Sequence, residues 1–231
     1  ISVGTELLLG EIVDTNAVFL SQELAALGIE LYHRTTVGDN APRLKQALTE
    51  ALARVDLVIT SGGLGPTNDD LTKETVAEAL GLSLVLDRSS LEWIEEYFAR
   101  TGRSMTENNY KQALIPEGGV ALPNPKGTAP GVSVRQEGKW VVCLPGPPRE
   151  LIPMFRDHVR PLLQAESQGM IRSRVLRLCG MGESVLVKEI ADLLANQTNP
   201  TLAPLASEGE VRLRITAAAE TVAQAEEVIA D

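Results

Sequence analysis

Apolar residues recur at two spacings along this chain, and the two spacings take turns. Runs such as ISVG (1–4) and VDLVIT (55–60) are short and nearly continuous, the pattern of strands covered on both faces. Between them apolar residues return every three or four positions. Phe19, Leu20, Leu24 and Leu27 mark one helical face, opened by Asp14 or Thr15 and stopped at Gly28. Leu44, Ala47, Leu48, Ala51 and Leu52 mark a second, behind Asn40 and Pro42. IELYHRTTV (29–37) reads as a strand between these helices, and a third helix is expected from about Asp70 to Leu80, ended by Gly81. Strands alternating with helices of this length predict βαβ units and a mostly parallel sheet.

The second half of the pattern is more mixed. LSLVL (82–86) is a strand candidate, and SSLEWIEEYFART (89–101) is a capped helix with Leu91, Ile94 and Phe98 inward. A further helix is expected from about Thr106 to Leu114, and GVSVRQEGKWVVCL (131–144) reads as a hairpin turning at Glu137-Gly138. ELIPMFRDHVRPLL (150–163) closes the first domain as a helix, and polar AESQGMIRS (165–173) reads as a linker. Beyond it RVLRLCGM, SVLVKEIADLLA, TLAPLAS, EVRLRITAA and TVAQAEEVIAD follow in the order β-α-β-β-α. The expected fold is therefore α/β: a mostly parallel three-layer α/β/α domain over residues 1–165, with a small α+β domain over 172–231. Ile1 opens directly in a strand pattern and the last helix has no cap signal. The natural chain is expected to extend at both ends.

Charge and composition narrow the function. The formal net charge of −10 argues against wrapping nucleic acid or an anionic membrane. No apolar run approaches the roughly 18 residues of a membrane span, and the N-terminus lacks a signal-peptide pattern. Cys143 and Cys179 belong to no CxxC or Cys/His cluster, and Cys143 sits in the apolar run WVVCL, where a packing thiol is expected. His33 and His158 give no metal spacing. A zinc enzyme and a Cys/His hydrolase are thus disfavoured, and a cytoplasmic protein is expected.

The candidate chemistry lies in the loops. SGGLGPTNDDLTKE (61–74) joins a strand to a helix through three glycines and then two adjacent carboxylates, Asp69 and Asp70. It is neither a GxxxxGK[ST] loop nor a GxGxxG loop, since Asn68 stands where the last glycine would be. Yet the strand–loop–helix order aims free amides and a positive helix end at one point, with Thr67 placed to cap the helix. A tight turn with its dipole balanced by two acids is the plainer reading; paired carboxylates after three glycines favour a phosphate with a metal ion beside it. PNPKGTAPG (123–131) supplies Lys126 in a stiff loop, LPGPPRE (144–150) supplies Gly146, Arg149 and Glu150, and GTELLLGEIVDTN (4–16) supplies Thr5, Glu6, Asp14 and Asn16. The first two also have a bland reading: a rigid surface connection and a proline-primed helix start. Ligands of open parallel sheets bind at the carboxyl ends of strands, so convergence of these loops on one rim is the strongest functional indication.

GTELLLGEIVDTN, SGGLGPTNDD-T, NPKGTAPG and LPGPPRE, in this order, resemble the CinA (competence/damage-inducible) family, whose first domain is similar to the molybdopterin-binding domains of molybdenum-cofactor biosynthesis proteins. The resemblance covers residues 1 to about 163, and residues 172–231 look like that family's small KH-like middle domain. Many members carry a further nicotinamide-nucleotide deamidase domain. The resemblance implies an ADP-ribose pyrophosphatase that uses a divalent cation (Mg2+ or Co2+), often with K+, and releases AMP and ribose 5-phosphate. Carried over residue by residue, the phosphate loop matches Ser61, Gly62, Gly63, Gly65, Pro66 and Thr67, with Leu64 where relatives often have Thr. Asp69 and Asp70 match the acidic, metal-holding pair, and Lys126 and Glu150 stand at motif positions beside Thr5, Glu6, Asn16 and Gly146.

Other readings remain open at this point. The loops also fit a molybdopterin- or nucleotide-binding module of cofactor biosynthesis, with or without turnover. Nucleic-acid binding by the small domain is disfavoured: a KH module needs a GxxG loop, and Gly180-Met181-Gly182-Glu183 breaks that pattern. Residues 172–231 carry six Lys/Arg against nine Asp/Glu, a net of −3. The small domain therefore reads as packing or dimer surface, with a small-molecule nucleotide as the ligand and a homodimer as the expected assembly.

Overall fold

The computed structural model describes residues 1–166, 170–207, 210–219 and 221–230, and only the backbone of Met170, Ile171 and Ser207. The chain forms two compact units: Ile1–Leu20 with Tyr32–Leu162, and Ser21–Leu31 with Leu163–Asp231.

The first unit begins with β1 (Ser2–Val3), α1 (Thr5–Leu8), α2 (Thr15–Ala26, whose second half belongs to the other unit), β2 (Thr36–Val37), α3 (Ala41–Leu52) and β3 (Leu57–Ser61). It continues through α4 (Thr72–Leu80), β4 (Leu84–Leu86), α5 (Arg88–Thr101), α6 (Glu107–Tyr110) and β5 (Leu114–Pro116). β6 (Val120–Leu122), β7 (Gly131–Gln136), β8 (Lys139–Leu144) and α7 (Pro148–Met154) follow; one wide helical turn, Phe155–Val159, then leads into α8 (Arg160–Glu166), which from Leu163 on belongs to the other unit.

Six strands make the main sheet in the order β2-β1-β3-β8-β7-β6. The first four are parallel, and β7 and β6 are added antiparallel. The apolar runs explain the centre: Val58 pairs with Val141 and Val134 with Val141, so one face is a continuous layer of β-branched side chains. Leu44 and Leu48 of α3 and Val76 of α4 close over that face in one core cluster with Val58, Val132, Val141 and Cys143. Helices start where the sequence placed caps: Asn40 accepts from the Arg43 amide at 3.1 Å, and Asp14 from the Ala17 amide at 2.8 Å. The β7–β8 turn has Glu137 at φ 50° and Gly138 at φ 78°, the two left-handed residues that a tight two-residue hairpin requires.

In the first unit three expected elements differ, and in the second the single helix expected over SVLVKEIADLLA is two, Glu183–Glu189 and Ala191–Asn196. Of IELYHRTTV only Thr36–Val37 is a strand, because β1 offers it a partner over two residues, and residues 31–34 lie exposed. The helix expected from Thr106 is one turn plus a tighter turn at Lys111–Ala113, after which Leu114–Pro116 pair with β4 as a strand. The helix from about Asp70 begins at Thr72, and its N-cap is Leu71 rather than Thr67.

The second unit carries β9 (Met170–Cys179), α9 (Glu183–Glu189), α10 (Ala191–Asn196), β10 (Thr201–Ser207), β11 (Glu210–Ala219) and α11 (Val222–Ala230). Its sheet is antiparallel in the order β10-β11-β9. Leu186, Val211 and Leu213 form its core, with Leu178, Ile190, Leu202 and Ile215 packed around them. The expected linker is shorter than 165–173: Ala165 and Glu166 end α8 and Met170–Ser173 belong to β9, while Ser167–Gly169 lie outside the described residues.

Candidate active site

The four parallel strands end on one rim. β1 releases Gly4–Glu6 there, β2 Asp39, β3 the glycine loop and β8 Pro145–Glu150; β7, running the other way, starts at that rim, so the loop before it arrives there too. These five segments line a cleft of about 530 Å³, a size suited to a nucleotide-sized ligand.

The glycine loop is held tightly. The Gly62 amide donates to Leu144 O at 2.9 Å, the Thr72 hydroxyl donates to Gly62 O at 2.8 Å and the Thr72 amide donates to Gly63 O at 3.1 Å. Gly62 and Gly63 stand at φ 100° and 69°, and a side chain on them would run into the Val3 carbonyl and the Thr72 hydroxyl. Their glycine identity is thus demanded by the turn itself. The same turn leaves the N–H groups of Gly63, Leu64 and Gly65 without an acceptor among the described residues, and all three residues line the cleft. Unpaired amides at a strand–helix junction suit an anion.

The paired carboxylates differ from each other. Asp70 Oδ2 accepts from both the amide and the hydroxyl of Thr67, closing the loop on itself. Asp69 is exposed, and its carboxyl is held below the usual range, chiefly by the nearby Thr67 hydroxyl. Asp39 is committed as Asp70 is: its Oδ2 accepts from the Thr5 amide and hydroxyl, each at 2.8 Å. Glu150 is buried in the first turn of α7, where Asn124 Nδ2 donates to its Oε2 at 2.9 Å. In all, five carboxylates (Glu6, Asp39, Asp69, Asp70 and Glu150) and two arginines (Arg103 and Arg149) line the cleft.

Of the residues singled out from sequence, Glu6, Gly62, Gly63, Gly65, Pro66, Asp69, Asp70, Gly146 and Glu150 line the cleft. Thr5, Asn16 and Thr67 stand one bond behind it, through Asp39, the Gly146 carbonyl (2.6 Å from Asn16 Nδ2) and Asp70. Ser61 is buried at the end of β3. Lys126 is exposed and does not line the cleft; its backbone amide donates to Asn124 Oδ1 at 3.2 Å. Lys111, which the sequence sets outside the loops, instead donates from Nζ to Thr67 O at 2.7 Å and pairs with Glu74 at 3.7 Å.

Several contributors escaped the sequence reading. Asn124 sits inside the quoted PNPKGTAPG loop, but its amide bonds to Glu150 and Ala129 appear only in three dimensions. Lys73 is fully buried, with Nζ donating to Gln112 O at 2.6 Å, and Gln112 Nε2 reaches Leu64 O at 3.4 Å. Burial pushes the Lys73 ammonium down to about 8. The signal was its spacing: position 73 falls on the helical face of Val76, Ala77 and Leu80. Cys143 is a packing thiol as expected, pushed up to about 11 by burial.

Residues 1–165 match the family described as "Probable molybdopterin binding domain", and residues 173–231 match the family described as "Damage-inducible protein CinA KH domain". The chain belongs to the CinA family. It is 55% identical over 229 residues to a CinA-like protein of Dictyoglomus turgidum and 54% identical over 229 residues to one of Dictyoglomus thermophilum. Each alignment covers 99% of this chain and 56% of the relative, so the chain spans little more than half the length of these CinA relatives. The crystal structure of the protein CinA of unknown function from Thermoplasma acidophilum matches with a TM-score of 0.64 at 36% identity, over 70% of this chain and 94% of that one. The cleft lies wholly within the molybdopterin-binding-like segment. No described helix is long and apolar enough to cross a membrane.

Among the described residues no three His, Cys, Asp or Glu side chains gather into a metal cage. With Asp70 half committed to Thr67 and Asp69 open, the donor set fits a hard cation held by one or two carboxylates together with ligand phosphates and water, the habit of Mg2+.

Proposed function

We propose that residues 1–165 hydrolyse the pyrophosphate bond of ADP-ribose to AMP and ribose 5-phosphate, with a divalent cation such as Mg2+ or Co2+, aided by K+. The observation that carries this reading is the pairing, in one cleft, of three unpaired loop amides with an excess of carboxylates over arginines. A bare carboxylate-lined cleft repels a pyrophosphate. Asp69 and Asp70 would hold a cation whose charge offsets that repulsion, and the amides of Gly63, Leu64 and Gly65 would take phosphate oxygens.

The residues divide the work. The amides of Gly63, Leu64 and Gly65 hold phosphate oxygens and stabilise the charge that gathers on them in the transition state. Arg149, at the opening of α7, donates to the same group from another side. Asp69, exposed and ionised, orients the attacking water, while Asp70 keeps the loop closed through Thr67. The water oxygen joins one phosphorus as that phosphorus parts from the bridging oxygen, which leaves on the other phosphate; the water's proton passes to solvent through Asp69. A cation on Asp69 and Asp70, when bound, supplies polarisation of the phosphates. In the cell we read the protein as cytoplasmic, acting on a small molecule, as a homodimer that holds neither nucleic acid nor membrane.

The match of residues 1–165 to a family described as a probable molybdopterin binding domain favours a second reading: a nucleotide- or molybdopterin-binding module that holds its ligand without turnover. Incubation with ADP-ribose, NAD or FAD, with and without Mg2+, Co2+ and K+, followed by product identification, tests both. AMP and ribose 5-phosphate formed only with metal supports hydrolysis; tight binding of ligand with none consumed supports the module.

A further inference from the structure

One wall of the cleft is aromatic. The buried face of α5 runs from Ser90 and Ile94 to Tyr97 and Phe98, which follow Ile94 by three and four positions. Ile94 is sealed from solvent, yet the two rings one turn later stay half-buried, because they border the cleft. The two rings meet edge to face with centroids 6.1 Å apart, and the Arg100 guanidinium lies over the Tyr97 ring at 5.7 Å, so the surface that remains for stacking is the part each half-buried ring turns to the cleft. In a chain with three tyrosines and three phenylalanines, two neighbours on one cleft wall are a concentration that core packing does not call for.

The other polar groups of the lining agree with a ring-shaped ligand. Asn109 and Gln112 also line the cleft, but their amides are engaged within the protein. Asn109 accepts from the Thr106 amide at 3.0 Å and hydroxyl at 2.9 Å and donates to Gln112 Oε1 at 3.1 Å, while Gln112 donates to Leu64 O. Arg103, just past the end of α5, also lines the cleft and has no ion pair among the described residues. A guanidinium offers donors only, so it suits a ring edge rich in acceptor nitrogens.

We infer that Tyr97, Phe98 and Arg103 form a subsite for a planar bicyclic nitrogen heterocycle, the rings stacking on its face and Arg103 donating to its edge. The inference rests on the reading that the glycine loop holds the phosphate part of the same ligand. Adenine and pterin share this chemistry, and the subsite accepts either.

The test is calorimetric binding of AMP, ribose 5-phosphate, inorganic pyrophosphate and 6-carboxypterin to the wild-type chain and to Tyr97→Ala, Tyr97→Phe and Arg103→Ala. Tyr97→Ala is expected to weaken AMP about tenfold, with pyrophosphate and ribose 5-phosphate unchanged and Tyr97→Phe restoring the affinity. Equal weakening of all ligands, no weakening of any, or a wild type that binds neither heterocycle overturns the subsite. Tyr97-dependent binding of the pterin but not of AMP supports it with pterin as occupant. If AMP binds with this dependence while ADP-ribose yields no product, the hydrolase reading fails and the subsite stands. If ADP-ribose is cleaved and Tyr97→Ala changes neither its KM nor AMP binding, the subsite fails alone.

Discussion

Asn124 pins Glu150: its Nδ2 donates to Glu150 Oε2 at 2.9 Å and, with its other hydrogen, to Ala129 O at 2.8 Å. Both side chains are buried, and a side chain on Gly127 would strike the same carboxylate. Removing Asn124 takes the hydrogen-bond donor from buried Glu150 Oε2, and among the described residues only the exposed Arg149 remains, 3.7 Å from Oε1. Asn124→Ala should therefore destabilise the first unit by about 1–3 kcal/mol in urea unfolding, and Asn124→Asp by more, because it faces one carboxylate with another. A change below the error of the measurement would show that water reaches Glu150 freely.

Asp69 and Asp70 should separate under mutation. Asp70→Asn loses an ionised acceptor for Thr67 and should lower stability by about 1 kcal/mol along with metal-dependent turnover. Asp69→Asn, at an exposed side chain, should lower turnover and leave the melting temperature unchanged. Equal effects of the two on stability would contradict the bonding seen in the loop.

Lys111 and Lys126 make a matched pair, since removing either changes net charge equally. Lys111 props the glycine loop through Thr67 O, whereas Lys126 is exposed outside the cleft. Lys111→Ala should reduce kcat/KM for ADP-ribose by roughly threefold to tenfold, the worth of one solvent-exposed hydrogen bond. Lys126→Ala should leave it unchanged. The reverse ranking would show that the 123–131 loop closes on the ligand.

Lys73 gives a pH signature. Its folded value is about 8 against 10.5 for the free side chain, with burial as the cause. Below pH 8 both states carry the charge and the cost of burying it is fully present. Between 8 and 10.5 the unfolded chain holds the proton that the folded one has shed, so stability contributed at this site rises with pH. Lys73→Met removes that rise, and the wild type should gain on the variant between pH 7.5 and 10 by on the order of 2–3 kcal/mol. Cys143, shifted upward by burial, lowers stability above pH 9 in both proteins, so the comparison is read chiefly between pH 7.5 and 9. A pH-independent difference would mean that Lys73 reaches water.

Much of this was readable from one sequence, for identifiable reasons. The runs around Val58 and Val141 are strands because both faces are covered, and continuous apolar runs report that directly. The loops after β1, β3 and β8 share a rim because parallel strands must end together, so Glu6, Asp69 and Glu150 converge as spacing suggested. What spacing does not carry is the third partner of a contact. Nothing local tells that Asn124 will meet Glu150, that Lys111 will reach back 44 positions to Thr67, or that Lys126 will turn outward. IELYHRTTV failed for the same reason: its alternation suits a strand, but a strand also needs a neighbour as long as itself.

The hydrogen bond from the Gly62 amide to Leu144 O ties together two loops whose strands lie side by side in the sheet but some eighty residues apart along the chain. The cleft therefore has no local precursor: a nascent chain that has made β3 but not β8 carries the glycine loop with half its walls absent. Ligand affinity is a property of the closed sheet as a whole, and a bound ligand lends its binding free energy to every strand that must part before the cleft can open. Saturating ligand should protect cleavage sites far from the rim as firmly as those beside it.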